Sequence, residues 1–330
     1  MKRNNTIFGF ARMKGFLHGC ICLWAFVFLG CKDHTVLDNV PTGLHQKIPG
    51  TRISLIPPAG FKLSRSFVGF AAEPSKSAIK VEYLDGPFAF WDSRGIDENY
   101  IHKYMDPVAK GKVKVNGLDG RWTESSAEDS REGKALQYAL YFGDEYSTVI
   151  MSAICDPPCE ESLAEALKSS LQTVVYDPQG DLDMEEAMPF EISLDNTSFY
   201  LQRASPQSLH YVEEAVAEDG DQDNRTLDIS AFRSHVPLEK RQDFALDENY
   251  ALNEFQDMEV TSLPAIEVDS LQAFPVIIGG VDRIEGDSAK VYQLWLFSEG
   301  GYYLFEAKTK GHFEENLKLF QQIGATFDRK

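Results

Sequence analysis

One five-residue pattern occurs twice, and it constrains the fold of this chain more than any other feature. Ile96-Asp97-Glu98-Asn99-Tyr100 returns as Leu246-Asp247-Glu248-Asn249-Tyr250. Ile53-Ser54-Leu55 returns as Ile192-Ser193-Leu194, and Phe61-Lys62-Leu63 is echoed by Phe199-Tyr200-Leu201. Ala135, Tyr138, Leu140 and Ala153 align without a gap on Ala289, Tyr292, Leu294 and Ala307. Each match alone is weak. Together they are collinear, the mark of a duplicated chain whose halves share one plan.

Patterning supplies that plan. Each half opens with a β-branched strand, Arg52 to Ile56 or Phe190 to Leu194. Two extended segments follow, Phe67 to Ala72 with Ala78 to Leu84, then His210 to Ala217 with Thr226 to Phe232. Ile96, Tyr100, Ile101, Tyr104 and Val108 fall at three- and four-residue spacing, which predicts a helix across the repeated pattern. A long hairpin comes next, turning at Gly143-Asp144 in one half and at Glu299-Gly300-Gly301 in the other. Leu163, Leu167 and Leu171, or Phe313, Leu317 and Phe320, then mark a closing amphipathic helix. Both faces of the hairpin strands are apolar, as Tyr292, Leu294 and Leu296 alternate with Trp295 and Phe297. The expected architecture is α+β, a mainly antiparallel sheet with helices on its faces.

The N-terminus carries a different kind of information. Lys2, Arg3, Arg12 and Lys14 precede the apolar run Gly15 to Gly30, with no acid among them. That is the layout of a cleavable secretory signal. Sixteen residues at ~1.5 Å each reach ~24 Å, short of the ~30 Å hydrocarbon core. The run ends in Phe28-Leu29-Gly30-Cys31, which resembles the lipobox of bacterial lipoproteins. That resemblance implies acylation of Cys31 as the first mature residue. Cys20 also follows a glycine, but Arg12 and Lys14 interrupt the apolar run before it, and Cys22 follows Ile21. Lys32 comes next. In lipoproteins of this kind an Asp there favours the inner membrane, so Lys32 points to the outer one, with the periplasmic and surface faces both open.

Residues 1–30 hold four of the 32 Lys and Arg and none of the 51 Asp and Glu, so the mature chain has 28 basic against 51 acidic residues, a net charge of −23. Such a surface repels phosphate backbones and anionic headgroups, which argues against nucleic acid and leaves membrane attachment to the lipid. Residues 31–50 are polar and turn-rich, expected as a flexible tether reaching ~25 Å. The remainder divides into 51–176 and 190–330, joined by a linker at 177–189 rich in acid, Gly and Pro.

Ile53-Ser54-Leu55-Ile56-Pro57-Pro58-Ala59-Gly60-Phe61, then Phe67-Val68-Gly69-Phe70 and Ile79-Lys80-Val81-Glu82-Tyr83, resemble the opening of PsbP-like proteins, the fold shared by photosystem PsbP subunits and DcrB-type envelope lipoproteins. The hairpin-then-helix at Tyr138 to Val174 fits as well. The likeness is good over about residues 50–176 and faint over 190–330, where the hairpin tip is longer and Pro-Pro-x-Gly is missing. It implies two tandem α/β/α sandwiches serving as assembly or interaction modules, and it brings no catalytic motif.

The residues themselves supply none either. There is no Gly-x-Ser-x-Gly, His-Glu-x-x-His, phosphate loop or dinucleotide fingerprint. His34, His45, His102, His210, His235 and His312 stand at no metal-ligand spacing from one another. Cys155-Asp-Pro-Pro-Cys159 lies between a strand and a helix, and three readings stay open: a structural disulfide, two packed thiols, or a redox pair with one intervening residue too many. Asp219, Asp221 and Asp223 have the alternate spacing of a calcium loop, but Asn224 and Ser230 stand where that loop wants Gly and Glu, so a solvated hairpin tip competes. Phe88, Phe90 and Trp91 are the candidate partner-binding surface, set against the alternative that they fold back over the core edge. The sequence thus describes a lipid-anchored envelope protein, non-catalytic and without cofactor, that binds an unknown envelope protein. A small-ligand or Ca2+-binding protein, and then a thiol redox protein, are the alternatives.

Overall fold

The computed structural model describes residues 34–72, 77–96, 105–129, 133–213, 225–234, 236–247, 255–284 and 286–330, and it opens with main-chain pairing where a loose segment was expected. β1 (His34–Leu37) lies parallel to β7 (Asp106–Val115), with His34 opposite Lys112 and Leu37 opposite Val115. β2 (Gln46–Lys47) pairs antiparallel with β3 (Ile53–Leu55). The Asn39 amide donates to the carbonyls of Gln172 at 2.8 Å and Val174 at 3.0 Å. Ile48 is buried in the core. From His34 onward, therefore, the flexible tether of 31–50 is corrected to a docked strap. Its hold comes from backbone and amide hydrogen bonds, which leave no hydrophobic period in the sequence.

The first sheet continues with β4 (Lys62–Leu63), β5 (Gly69–Ala71) and β6 (Ala78–Asp85), then helix α1 (Phe88–Ser93). β7 follows, so Val108, expected in a helix, lies in a strand. β8 (Leu118–Asp129), β9 (Gly133–Gly143), β10 (Ser147–Cys155), helix α2 (Glu161–Gln172) and β11 (Val175–Tyr176) complete this half. The strand order is β1-β7-β8-β9-β10-β6-β5-β4, antiparallel except at β1. Asn116 and Gly117 join β7 to β8 with φ of 45° and 86°, the positive pair that a two-residue hairpin turn requires.

Register assigns the faces. Tyr138, Leu140 and Phe142 of β9 sit opposite Ala153, Met151 and Val149 of β10, and this side packs on Ala164, Leu167 and Leu171 of α2. Ala139 and Tyr141 face the other way, with Ile150, under Phe88 and Trp91 of α1. Both faces are covered, as the two-sided apolar pattern requires.

The 177–189 segment, expected as a linker, is packed. It forms α3 (Met184–Ala187), capped by the Asp183 carboxylate, and places Ala187 and Met188 in the core. Gly50, at φ +65°, passes so close that a Cβ would lie 2.2 Å from the Asp183 carbonyl.

The second half runs β12 (Phe190–Glu191), β13 (Phe199–Ser205), β14 (Ser208–Glu213) and β15 (Thr226–Phe232). A 3-10 turn at Leu238–Lys240 enters α4 (Arg241–Asp247). Then come β16 (Phe255–Ser262), β17 (Ile266–Val268), β18 (Leu271–Asp282), β19 (Ser288–Phe297), β20 (Tyr302–Thr309), α5 (Phe313–Gly324) and β21 (Asp328–Arg329). Its order, β13-β14-β15-β20-β19-β18-β16, matches β4-β5-β6-β10-β9-β8-β7 strand for strand. β12 pairs with β21 as β3 pairs with β11. The sequence matches occupy matched rungs: Ala153 faces Tyr138 across one ladder, and Ala307 faces Tyr292 across the other. One hydrophobic cluster nevertheless runs through both halves, from Ile48 to Phe327, within a single compact unit. The Asp97-to-Tyr100 and Glu248-to-Tyr250 parts of the first repeat lie outside the described residues.

Candidate functional site

α1 has no side-chain cap and only six residues, so tertiary packing must hold it. Phe88 lies 6.1 Å from the Tyr141 ring, and the Trp91 indole donates to the Asp85 carbonyl at 2.9 Å. These two side chains cover the outer face of the first sheet. Phe90 is 40% exposed, edge-on to Trp91 at 5.4 Å and stacked under the Arg94 guanidinium at 4.2 Å. Asp92 ties the helix to β8 through a two-point ion pair with Arg121, one arm of which is 2.8 Å. Of the three aromatics singled out in the sequence, only Phe90 offers a substantial surface to a partner.

Cys155 and Cys159 are joined in a disulfide, with S–S 2.10 Å and Cα atoms 5.5 Å apart. Cys155 is fully buried at the end of β10, and the bond ties that strand to the residue before the Glu160 cap of α2. With both sulfurs bonded, neither is a thiolate nucleophile in this state. Cys31, Asp219, Asp221 and Asp223 lie outside the described residues, as do His102 and His235. Among the described residues, no three His, Cys, Asp or Glu side chains gather as a metal site.

Two polar arrangements were not visible in the sequence. The first is a row across five strands on the second sheet. Arg203, His210, Asp228, Glu306 and Gln293 are successive cross-strand partners from β13 to β19. His210 Nδ1 lies 2.8 Å from Asp228 Oδ1, and the Gln293 amide donates to Glu306 at 2.6 Å. No sequence spacing links 203, 210, 228, 293 and 306; only strand register does. The second is a chain of side chains running from Ser198 to α5. Ser198 donates to Glu213, Glu213 pairs with Arg225, and Arg225 donates to Asn316 at 2.8 Å. Asn316, buried at the start of α5, donates to Thr309 Oγ1 and the Gly311 carbonyl, both at 2.8 Å.

Beside that chain lies an open cleft of about 420 Å3 between the β16 bulge, Gly279 and Gly280, and Thr309 to Phe313. Asp257, Glu259, Lys290 and Lys310 bring charge of both signs to its lining, and His312 an imidazole. Lys290 sits over the Phe313 ring at 4.2 Å, and Lys310 is 3.9 Å from Asp287. Gly280 lets β16 pass close to β18, since a Cβ there would meet Phe255 Cβ at 2.9 Å. The mixed signs suit a small polar ligand.

Neither a protein-family profile nor a curated protein matches the chain. Solved structures with some likeness include the Saccharomyces cerevisiae Ran-binding protein Mog1p, 12% identical with a TM-score of 0.32 over 43% of this chain and 90% of that one. LpqN of Mycobacterium tuberculosis, described as involved in cell envelope biogenesis, is 16% identical with a TM-score of 0.30 over 42% and 82%. The immunity protein TplEi of a Pseudomonas aeruginosa type VI secretion system is 13% identical with a TM-score of 0.34 over 87% and 96%. Likenesses this weak assign this chain neither a function nor a partner.

Proposed function

We propose that this chain is a lipid-anchored protein of the bacterial cell envelope, built from two tandem PsbP-like sandwiches and acting as a non-catalytic interaction module. The observation that carries the reading is the N-terminal signal, a basic acid-free region and an apolar run ending in Gly30-Cys31. The matched strand orders, and the matched Ala153–Tyr138 and Ala307–Tyr292 rungs, support the duplication. Lys32 supports the outer membrane as the destination. An envelope protein is the expected partner, with Phe90 on α1 at the centre of the contact.

Mild-detergent extraction of the full-length protein beside a Cys31→Ala control, with mass spectrometry of what co-purifies, tests this reading. A near-stoichiometric partner that depends on Cys31 is expected. A partner-free protein in both samples would overturn the interaction role. A second reading, a small-ligand or cation-binding envelope protein, draws on the cleft at Lys290, Lys310 and His312 and on Asp219, Asp221 and Asp223. A calcium- or ligand-dependent rise in Tm is its signature, since binding to the native state alone stabilises it.

A further inference from the structure

We propose that the β17 edge of the second sheet receives an extended segment of a partner protein, laid parallel to it as β1 is laid on β7. This surface is separate from the anchor and from Phe90. The duplication locates it. On the rungs set by Tyr138 and Tyr292, Phe142 corresponds to Leu296. These two face Gly120 and Ala273, which in turn face Val113 and Ile266. β16 and β17 together are thus the counterpart of β7, with Val113 to Val115 matched by Ile266 to Val268. Both stretches end in a two-residue turn of positive φ, 45° and 86° at Asn116 and Gly117, 47° and 58° at Asp269 and Ser270. The Asn116 side chain accepts from the Tyr176 amide at 2.9 Å, and the Asp269 side chain accepts from the Arg329 amide at 3.2 Å.

What differs between the halves is the cover. Thr35 sits opposite Val113 and Leu37 opposite Val115, and Val113 is 2% exposed. Among the described residues no strand pairs with β17 on the side away from β18, and Ile266 is 43% exposed. The same position is therefore core in the first half and open to solvent in the second. A sheet edge of this kind presents main-chain N–H and C=O groups, the template for strand addition. Charge selects the occupant. Glu267 stands where the first half has Lys114, and Asp257 and Glu259 are the other charged residues of β16 and β17. All three are exposed. A second copy joined edge to edge would set these like charges against one another, which is destabilising. The segment that fits carries Lys or Arg opposite Glu267, where β1 has Val36 opposite Lys114, and a β-branched residue opposite Ile266, where β1 has Thr35.

The test uses the full mature protein and a synthetic peptide of strap residues 34–47 carrying Val36→Lys, with the same peptide carrying Val36→Glu as its control. The lysine disfavours exchange into the first half, where it would meet Lys114. Hydrogen exchange followed by mass spectrometry is expected to show slowed amides at 266–268 and unchanged ones at 112–115. The lysine peptide is expected to bind about threefold more tightly than the glutamate one, and Glu267→Lys to reverse that order. Ile266→Ser is expected to weaken binding about fivefold without lowering Tm. No slowing at 266–268, or equal binding of the two peptides, would overturn the proposal while leaving the anchor and Phe90 readings intact. A dimer of the protein alone that Ile266→Ser dissolves would overturn it too, by making a second copy the occupant.

Discussion

The Tyr303 hydroxyl donates to the main-chain carbonyl of Arg65, 2.7 Å away and 238 residues earlier in the chain. Beside it, the Val68 amide donates to the Pro206 carbonyl at 2.7 Å. Phe67 is buried between the two halves, with Lys80 at 5.2 Å and Arg233 at 5.8 Å from its ring. The loop between β4 and β5 thus keys the first sheet into the second.

Tyr303→Phe keeps the packing and leaves the Arg65 carbonyl without this donor. A loss of about 1 kcal/mol is expected in urea denaturation. Because the core is continuous, the wild-type protein is expected to unfold in one transition by both tyrosine fluorescence and far-UV circular dichroism. Two separated transitions would show that the halves fold independently.

The disulfide closes a five-residue loop, counting both cysteines. In the chain-entropy treatment that constrains the unfolded state by about 2 kcal/mol. Reductant is expected to lower Tm of the wild-type protein and to leave that of Cys159→Ser unchanged. Cys155→Ser is expected to lose more than Cys159→Ser, because it also puts a hydroxyl at a fully buried position.

Asn116 holds the strap in place. Its amide donates to the Asn39 carbonyl at 2.9 Å, and its carbonyl oxygen accepts from the Tyr176 amide at 2.9 Å. Its own main-chain amide donates to Leu37 at 2.9 Å, at φ +45°. Asn116→Ala removes two side-chain bonds and strains the turn, an expected cost of about 2 kcal/mol. Hydrogen exchange is expected to speed up at residues 34–40 well before it does at β9 and β10. Uniform acceleration would show that the strap is no separate unit.

Burial pushes the Tyr292 phenol up to about 12 from its ordinary 10. Tyr83 and Tyr211 are raised too, by burial first, and Tyr211 also by its bond to the Glu185 carboxylate. The folded state therefore favours the neutral phenols. Their contribution is fully present below pH ~10 and is lost as pH climbs through the folded values. Tyr292→Phe is expected to flatten the decline in stability between pH 10 and 12 by on the order of 2 kcal/mol, read from urea midpoints along the pH series.

Gly69 sits at φ +140°, where a Cβ would lie 2.0 Å from the Ile79 carbonyl oxygen. Gly69→Ala must push apart the β5–β6 ladder beside the loop that joins the halves. A loss of more than about 3 kcal/mol is expected, seen as aggregated or protease-sensitive protein.

Much of the fold was legible because its signals are local or repeated. The alternation of Tyr292, Leu294 and Leu296 with Trp295 and Phe297 announced a strand covered on both faces. The collinear matches put Tyr138 and Tyr292 on equivalent rungs. Asn116-Gly117 is also a local signal of a short hairpin turn, and it marks the β7–β8 connection, while the helix expected as far as Val108 gives way to β7. The candidate surface was less legible. A six-residue helix has too few turns for a period to show which of Phe88, Phe90 and Trp91 point inward.

By itself the sequence determined the strand pairs joined by tight turns, the two closing helices, the duplicated order and the basic-apolar-Cys layout at the N-terminus. All of these depend on residues close in sequence or on repetition. Only the tertiary structure decided that His34–Leu37 runs parallel to β7, that residues 177–189 pack rather than link, and that Tyr303 reaches Arg65. It also decided that Lys112 and Arg121 are cross-strand partners, and that His210 and Asp228 stand in one polar row. Each of these needs a strand register or a main-chain hydrogen bond between segments distant in sequence. Such pairings satisfy donors and acceptors that every residue carries alike, so no residue pattern announces them.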